Sequence, residues 1–267
     1  MEAEKKYEQL LADLRRQGSL AIAFSGGVDS SFLLYAAKQA LGDRILALTA
    51  ASVFFPEREC REAVCFCREN GIRQIVTDFA PLQTEGVAQN PKNRCYLCKR
   101  ALFGKVLALA VEQGFDALAE GSNLDDLGDY RPGLKAIEEL GILSPLREAK
   151  LTKSDIRHLS KQFGLPTFDK PSFACLASRF VYGETITREK LKMVERAEEL
   201  LLDLGFVQFR VRIHQSMARI EVLPEQFEKL VRREVRERVT KELHSLGFSY
   251  ISMDLEGYRT GSMNGPG

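Results

Sequence analysis

The stretch "AIAFSGGVDSSFLLYAAK", residues 21–38, sets an apolar run against two glycines, an aspartate and three serines, then resumes with helical spacing. Adjacent glycines at the end of a strand let an anion approach the backbone with no Cβ atoms in the way. The helix that follows offers free N–H groups and the positive end of its dipole. Ser25, Ser30 and Ser31 add hydroxyl donors, so the stretch predicts a strand, a cradle for pyrophosphate and a helix. It is not a Walker A loop, because no G-x-x-x-x-G-K-[ST] is present, and it is not G-x-G-x-x-G. The plain alternative is a strand-to-helix turn whose aspartate and serines cap the helix.

On either side of it, short apolar runs at 19–24, 44–50, 72–77 and 115–120 alternate with helix-like stretches at 29–41, 57–70 and 96–113. That rhythm predicts βαβ units, hence an α/β fold with a parallel sheet and helices on both faces. Residues 151–164 read as a helix with Thr152 as N-cap and Gly164 at its end. Residues 165–186, "LPTFDKPSFACLASRFVYGETI", are irregular and read as a functional loop entering a linker. Beyond 185 the pattern becomes helix 188–204, strand 206–213, strand 217–223, helix 225–245 and strand 248–253. This predicts a small α+β domain with an antiparallel sheet, and a division into 1–185 and 186–267. The end, "GSMNGPG", reads as flexible unless a ligand ties it down.

The 267 residues carry 38 Lys plus Arg against 37 Asp plus Glu, a net charge of +1. Residues 186–267 hold 14 basic and 13 acidic residues, and the rest 24 of each. Neither part is a basic module, so the balance points away from nucleic acid and from membrane surfaces. The charged amphipathic start lacks the apolar core of a signal peptide, and no apolar run approaches the ~18 residues of a membrane span. A cytoplasmic protein with six reduced cysteines is expected, which favours metal binding or chemistry over disulfides.

The motif S-G-G-V-D-S-S, Ser25 to Ser31, resembles the PP-loop of the ATP pyrophosphatases, which include GMP synthetase, NAD synthetase and several tRNA thiolases. The resemblance implies a HUP-like fold and cleavage of ATP between its α and β phosphates: AMP is placed on a substrate oxygen, a nucleophile displaces it, and pyrophosphate leaves with Mg²⁺. Asp29 resembles the family's aspartate near the pyrophosphate and metal, and Gly26 and Gly27 its bare backbone. "EGSNLDD", 120–126, resembles the G-[ST]-N-x-x-D stretch of the same enzymes, making Gly121, Ser122, Asn123 and Asp126 candidate nucleotide or metal contacts.

The motif leaves the nucleophile open among ammonia, an amine and sulfur. Cys95 and Cys98 form C-x-x-C, and Cys175 lies in the long loop. Two thiolates three apart at a helix start converge readily on a metal, and a third from a distant loop completes a three-thiolate set. Arg94, Lys99, Arg100 and Arg179 nearby in sequence favour thiolate over thiol. A redox pair, half of a zinc site or an incidental motif remain alternatives, although His158, His214 and His244 lie in no ligand-like spacing. Cys60, Cys65 and Cys67 fall on an expected helix and read as buried small hydrophobes.

With these residues the chain resembles the LarE family nearly end to end, through "VFFPERE" (53–59), "GSNLDDLGDYRPG" (121–133), "SPLREAKLTKSDIR" (144–157), "KPSFACLASRF" (170–180), "FRVRIH" (209–214) and "DLEGYRTGSMN" (254–264). These are ATP-dependent sulfurtransferases that act on pyridinium-3,5-biscarboxylic acid mononucleotide in making the nickel-pincer nucleotide cofactor of lactate racemase. One branch is implied to sacrifice the sulfur of the residue aligned with Cys175. The other holds a [4Fe–4S] cluster on three cysteines, and the trio Cys95, Cys98 and Cys175 points to that branch. The resemblance gives Asp29 and Cys175 catalytic roles and implies a small-molecule nucleotide substrate, a homo-oligomer and contact with other cofactor-building enzymes. Arg210 and Arg212 share one face of a strand and suit a phosphate; Arg259 resembles the family's third anion-binding arginine, and Glu221 is a candidate for metal binding or positioning. The rival readings are a PP-loop tRNA thiolase and a nucleotide-binding domain with structural zinc.

Overall fold

A computed structural model describes residues 2–128, 132–171 and 175–259. The chain packs into two compact units, residues 1–84 with 93–173 and residues 85–92 with 174–267.

The first unit runs α1 (Glu2–Arg16), β1 (Leu20–Ala23), α2 (Val28–Leu41), β2 (Ile45–Ala51), α3 (Glu57–Glu69), β3 (Gln74–Asp78), α4 (Arg94–Glu112), β4 (Leu118–Ala119), α5 (Pro132–Glu139), α6 (Pro145–Glu148) and α7 (Lys153–Gln162). The strands pair in parallel in the order β3-β2-β1-β4, with Leu20 opposite Ile45, Ala47 opposite Gln74 and Ala21 opposite Leu118. The period of two along each strand feeds two cores. Leu20, Ile22, Ile45 and Ala47 face Leu10, Leu14, Phe32, Leu33, Ile156 and Leu159, from α1, α2 and α7. Ala21, Leu46, Leu48 and Leu118 face Phe103, Val106 and Ala110 of α4 and Ile137 of α5. Helices therefore cover both faces, and the central strands read as unbroken apolar runs because neither side meets water. The chain runs from β1 through β2 to β3 on one side, then crosses back to place β4 on the other side of β1. That is the switch point at which open α/β sheets bind ligands.

The α7 helix starts as its sequence dictates. The Thr152 hydroxyl accepts from the Asp155 N–H (3.1 Å), and the Asp155 carboxylate accepts from the Thr152 N–H (3.0 Å), a reciprocal capping box. The short α5 and α6 helices, eight and four residues, are not among the predicted elements; so few residues carry little periodicity.

The second unit holds α8 (Arg188–Asp203), β5 (Phe209–His214), β6 (Met217–Val222), α9 (Phe227–Val231), α10 (Arg233–Ser245) and β7 (Tyr250–Met253). Its sheet, ordered β5-β6-β7, is mixed and not wholly antiparallel as expected. A tight turn at Gln215 and Ser216 makes β5 and β6 an antiparallel hairpin, but the helices after β6 carry the chain back, and β7 pairs parallel with β6. The expected single helix 225–245 is a 3₁₀ turn (Pro224–Gln226) followed by α9 and α10, broken where Arg232 is extended at φ −53°, ψ 137°. Residues 85–92 belong here through buried Asn90, whose amide donates to Val181 O (2.7 Å) and whose carbonyl accepts from Gly183 N–H (2.9 Å). Among the described residues no helix is long and apolar enough to cross a membrane.

Candidate active site

β1 ends at Ala23, and a turn carrying both glycines leads into α2. Gly26 has φ +74°, a conformation that side chains disfavour, and a Cβ there would lie 3.1 Å from Ala63 Cβ of α3. Gly27 is the N-cap of α2 and contributes no side-chain cap. Ser31 N–H is the first to bond back along the helix, to Gly27 O at 2.9 Å, so the N–H groups of Val28, Asp29 and Ser30 precede the helical ladder. The Ser30 hydroxyl donates to Gly27 O (3.2 Å) and lies 3.1 Å from Ser25 Oγ. The fully buried Ser31 Oγ has no hydrogen-bond partner among the described residues.

The loop after β4 closes on this turn. A Cβ on Gly121 would stand 3.0 Å from Ser30 N and 3.2 Å from Ser30 Cα, so its backbone touches the start of α2 in a way only glycine permits. Asn123 donates through Nδ2 to Asp29 Oδ1 (3.2 Å), and the Lys153 ammonium, at the head of α7, pairs with Asp29 Oδ2. Asp29 therefore does not cap its own helix; it is held between an amide and a cation at the mouth of the turn. Asp126 accepts from Asn123 N–H (2.9 Å) and Asn123 Oδ1 from Asp125 N–H (2.9 Å), which fixes the loop that carries the amide. Ser122 donates to buried Glu120 (2.8 Å), which also accepts from Ser144 Oγ (2.6 Å), so this hydroxyl is engaged with its own loop.

Sequence reasoning did not single out three residues in this group: Lys153, Glu120 and Lys170. Lys153 lies inside a stretch that resembles the family, yet at the first position of an amphipathic helix a lysine reads as solvated. Lys170 reaches Gly26 O at 3.0 Å, 144 residues away in sequence, and no local pattern marks such a contact.

No disulfide joins any of the six cysteines, which are all thiols. Cys95 and Cys98 stand on the first turn of α4, three apart on one face, both partly buried, and buried Arg94 donates to Cys95 Sγ at 3.6 Å. In the second unit, partly exposed Cys175 precedes the 3₁₀ turn Leu176–Arg179, and its carbonyl accepts from Arg179 Nη1 (3.3 Å). Among the described residues no three His, Cys, Asp or Glu side chains are grouped as a metal centre. On α3, Cys67 is buried, and loss of solvent pushes its thiol up to about 12; burial also raises Cys60. Cys60 and Cys65 are only half-buried, because their helix turns them toward its wetter side, so the expectation of three buried cysteines holds for Cys67 alone.

Three arginines of the second unit, Arg179, Arg210 and Arg212, are buried. Arg212 grips Glu221 with Nε and Nη2, both at 3.0 Å, and gives Nη1 to Ser178 O (3.0 Å). Arg179 grips Glu198 in the same two-pronged way at 2.8 Å. Arg210 donates to Phe209 O (2.6 Å), with Tyr258 stacked 5.0 Å from its guanidinium; desolvation and the nearby Arg179 lower it to about 10. Arg259 is half exposed beside Glu256, on a segment tied to β6 through Asp254 N–H to Ile220 O and Tyr258 N–H to Val222 O, both 2.9 Å. The tail beyond it, 260–267, and residues 129–131 and 172–174 of the family-like stretches lie outside the described residues.

A family model described as NAD synthase matches residues 6–102. An uncharacterized protein of Synechocystis sp. is 40% identical over 98% of this chain and 97% of its own length. The pyridinium-3,5-bisthiocarboxylic acid mononucleotide synthase of Lactiplantibacillus plantarum is 37% identical over 97% of this chain and 94% of its own. The glutamine-hydrolyzing GMP synthase of Pyrobaculum aerophilum is 25% identical over 74% of this chain and 43% of its own.

Proposed function

The chain belongs to the pyridinium-3,5-bisthiocarboxylic acid mononucleotide synthase (LarE) family, and we propose that it is an ATP-dependent sulfurtransferase acting on pyridinium-3,5-biscarboxylic acid mononucleotide. The observation that carries this is the bare turn after β1, with its free N–H groups, its two glycines and Asp29 held at its mouth by Asn123 and Lys153.

In this reading the outer phosphates of ATP lie against the backbone of residues 25–31, where the helix N-terminus and the serine hydroxyls meet their charge. Asp29 offers a carboxylate oxygen of the kind Mg²⁺ prefers, and Lys153 holds that carboxylate until the metal arrives. A carboxylate oxygen of the substrate attacks the α-phosphorus, the bond to the β-phosphate breaks, and pyrophosphate leaves. The acyl carbon then carries AMP as leaving group; sulfur attacks it, the C–O bond to AMP breaks, and a thiocarboxylate results. Activation through a covalent adenylate splits one hard step into two easier ones.

We assign the sulfur to the trio Cys95, Cys98 and Cys175. Reduced, partly exposed thiols, two of them three apart on a helix turn, suit a soft iron–sulfur ligand set. When bound there, a [4Fe–4S] cluster would supply a sulfide as the nucleophile. The first unit then serves ATP. The second, with Arg210, Arg212 and Arg259, receives the substrate phosphate, and Glu221 fixes the fork of Arg212. Thiol chemistry of this kind belongs in a reducing cytoplasm.

The test combines ATP, Mg²⁺ and the pyridinium dicarboxylate nucleotide with anaerobically purified protein. Expected are a product in which sulfur replaces a carboxylate oxygen by mass, brown protein with iron and sulfide, and an intact Cys175 after turnover. Iron-free, colourless protein would refute the cluster, and no thiolated product would refute the reaction.

A further inference from the structure

We infer that Lys170 is a positioning residue for the phosphate turn: it turns the Gly26–Gly27 peptide so that the Gly27 N–H faces the ATP phosphates. The inference rests on reading that turn as the site of those phosphates. The Lys170 ammonium has three donors and meets three acceptors: Gly26 O at 3.0 Å, Glu59 at 2.7 Å and Glu62 at 2.7 Å. Its donors are thus committed, and it is not itself a phosphate ligand. The side chain is 11% exposed, so the ammonium and its bonds to Gly26 O and Glu59 are largely shielded from water, while Glu62 closes the arrangement from the solvent side.

The main chain that delivers the lysine is fixed too. Arg157 of α7 donates to Phe168 O (2.7 Å) and Lys170 O (2.8 Å). Both glutamates lie on α3, the helix whose Ala63 approaches Gly26 from the same side. In a planar trans peptide the C=O and N–H point in opposite directions. With Gly26 O drawn toward Lys170, the Gly27 N–H is directed the other way. Without the ammonium, the Gly26–Gly27 peptide is free to flip, because the flip changes ψ of Gly26 and carries φ of Gly27 away from −79°, and glycine adopts either sign of φ with little penalty. A flipped peptide would present a carbonyl oxygen to the phosphates in place of a donor.

The probes are inorganic pyrophosphate with Mg²⁺ and AMP, titrated calorimetrically against the full chain; AMP lacks the two phosphates that the turn would hold. In Lys170→Met, pyrophosphate affinity should fall about tenfold, as for loss of one aimed donor to a charged group, with AMP affinity within about twofold of wild type. A lysine with a purely structural role would lower both together, or neither, and either result overturns the inference. Should Lys170→Met not fold, Glu59→Gln/Glu62→Gln keeps the ammonium but loosens it, and should show the same selectivity at a few-fold. Unchanged pyrophosphate affinity in that pair overturns the inference. Failure of the wild type to bind pyrophosphate would instead remove the phosphate reading itself, and this inference with it.

Discussion

The phosphate turn of the first unit and the arginine cluster of the second handle charge in opposite ways. Around the turn the donors are left open: helical N–H groups stand ahead of the ladder and Ser31 Oγ lacks a partner among the described residues. In the second unit the strong donors are already spent, Arg179 on Glu198 and Arg212 on Glu221, behind nearly complete burial. An open set of donors is built to receive an anion and contributes little to stability. A closed set of forks holds α8, the hairpin and the Leu176–Arg179 turn together, and an incoming phosphate must engage what remains. Variants in the turn should therefore cost activity and spare the fold, while variants in the forks should cost the fold first.

The largest effect is expected from Arg179→Met, which leaves Glu198 buried and unpaired; urea unfolding should show a loss of about 3–5 kcal/mol. Adding Glu198→Met should recover most of it, and a single variant as stable as wild type would break the contrast. Next, Asp29→Ala should lower ATP-dependent pyrophosphate release roughly 100-fold, the scale of a lost metal-held charge at a reacting phosphate, with thermal stability near wild type. Loss of stability without loss of rate would reverse the comparison. Smaller still, Gly121→Ala puts a methyl 3.0 Å from Ser30 N and must push back the first turn of α2. Overpacking of this size costs about 1–3 kcal/mol, and it should be read mainly in ATP affinity.

Much of the first unit was legible from the rhythm of short apolar runs and helix-like stretches. Strands such as Leu20–Ala23 read as unbroken apolar runs because Leu20 and Ile22 enter one core and Ala21 the other. The turn was legible because Gly26 and Gly27 answer a steric demand written in adjacent residues. Thr152 as a cap is legible for the same reason: its partner is three residues on. What escaped depends on distance in the chain. Lys153 with Asp29 and Lys170 with Gly26 join residues more than a hundred positions apart, and neither lysine differs locally from a solvated one. The parallel pairing of β7 escaped because it is set by where α10 returns the chain, not by the composition of the strand. Arg210 and Arg212 were legible as sharing a face, but their burial was not, since it follows from the carboxylates that α8 and β6 bring to them.

The weakest effect expected is in pH dependence. Burial holds the Cys67 thiol protonated up to about 12, while an unfolded cysteine loses its proton near its ordinary value of ~8.5. Between those values the unfolded chain binds fewer protons, so stability should fall as pH rises through this window, and Cys67→Ala should flatten the slope. Alkylation at neutral pH should likewise modify Cys67 last, and early labelling of it would contradict its burial.

The most direct test of the phosphate turn is ³¹P spectroscopy of the anaerobic protein turning over ATP, Mg²⁺ and the pyridinium dicarboxylate nucleotide. The account predicts AMP and pyrophosphate in equal amounts, formed only with that substrate present. ADP and inorganic phosphate as the products would contradict it.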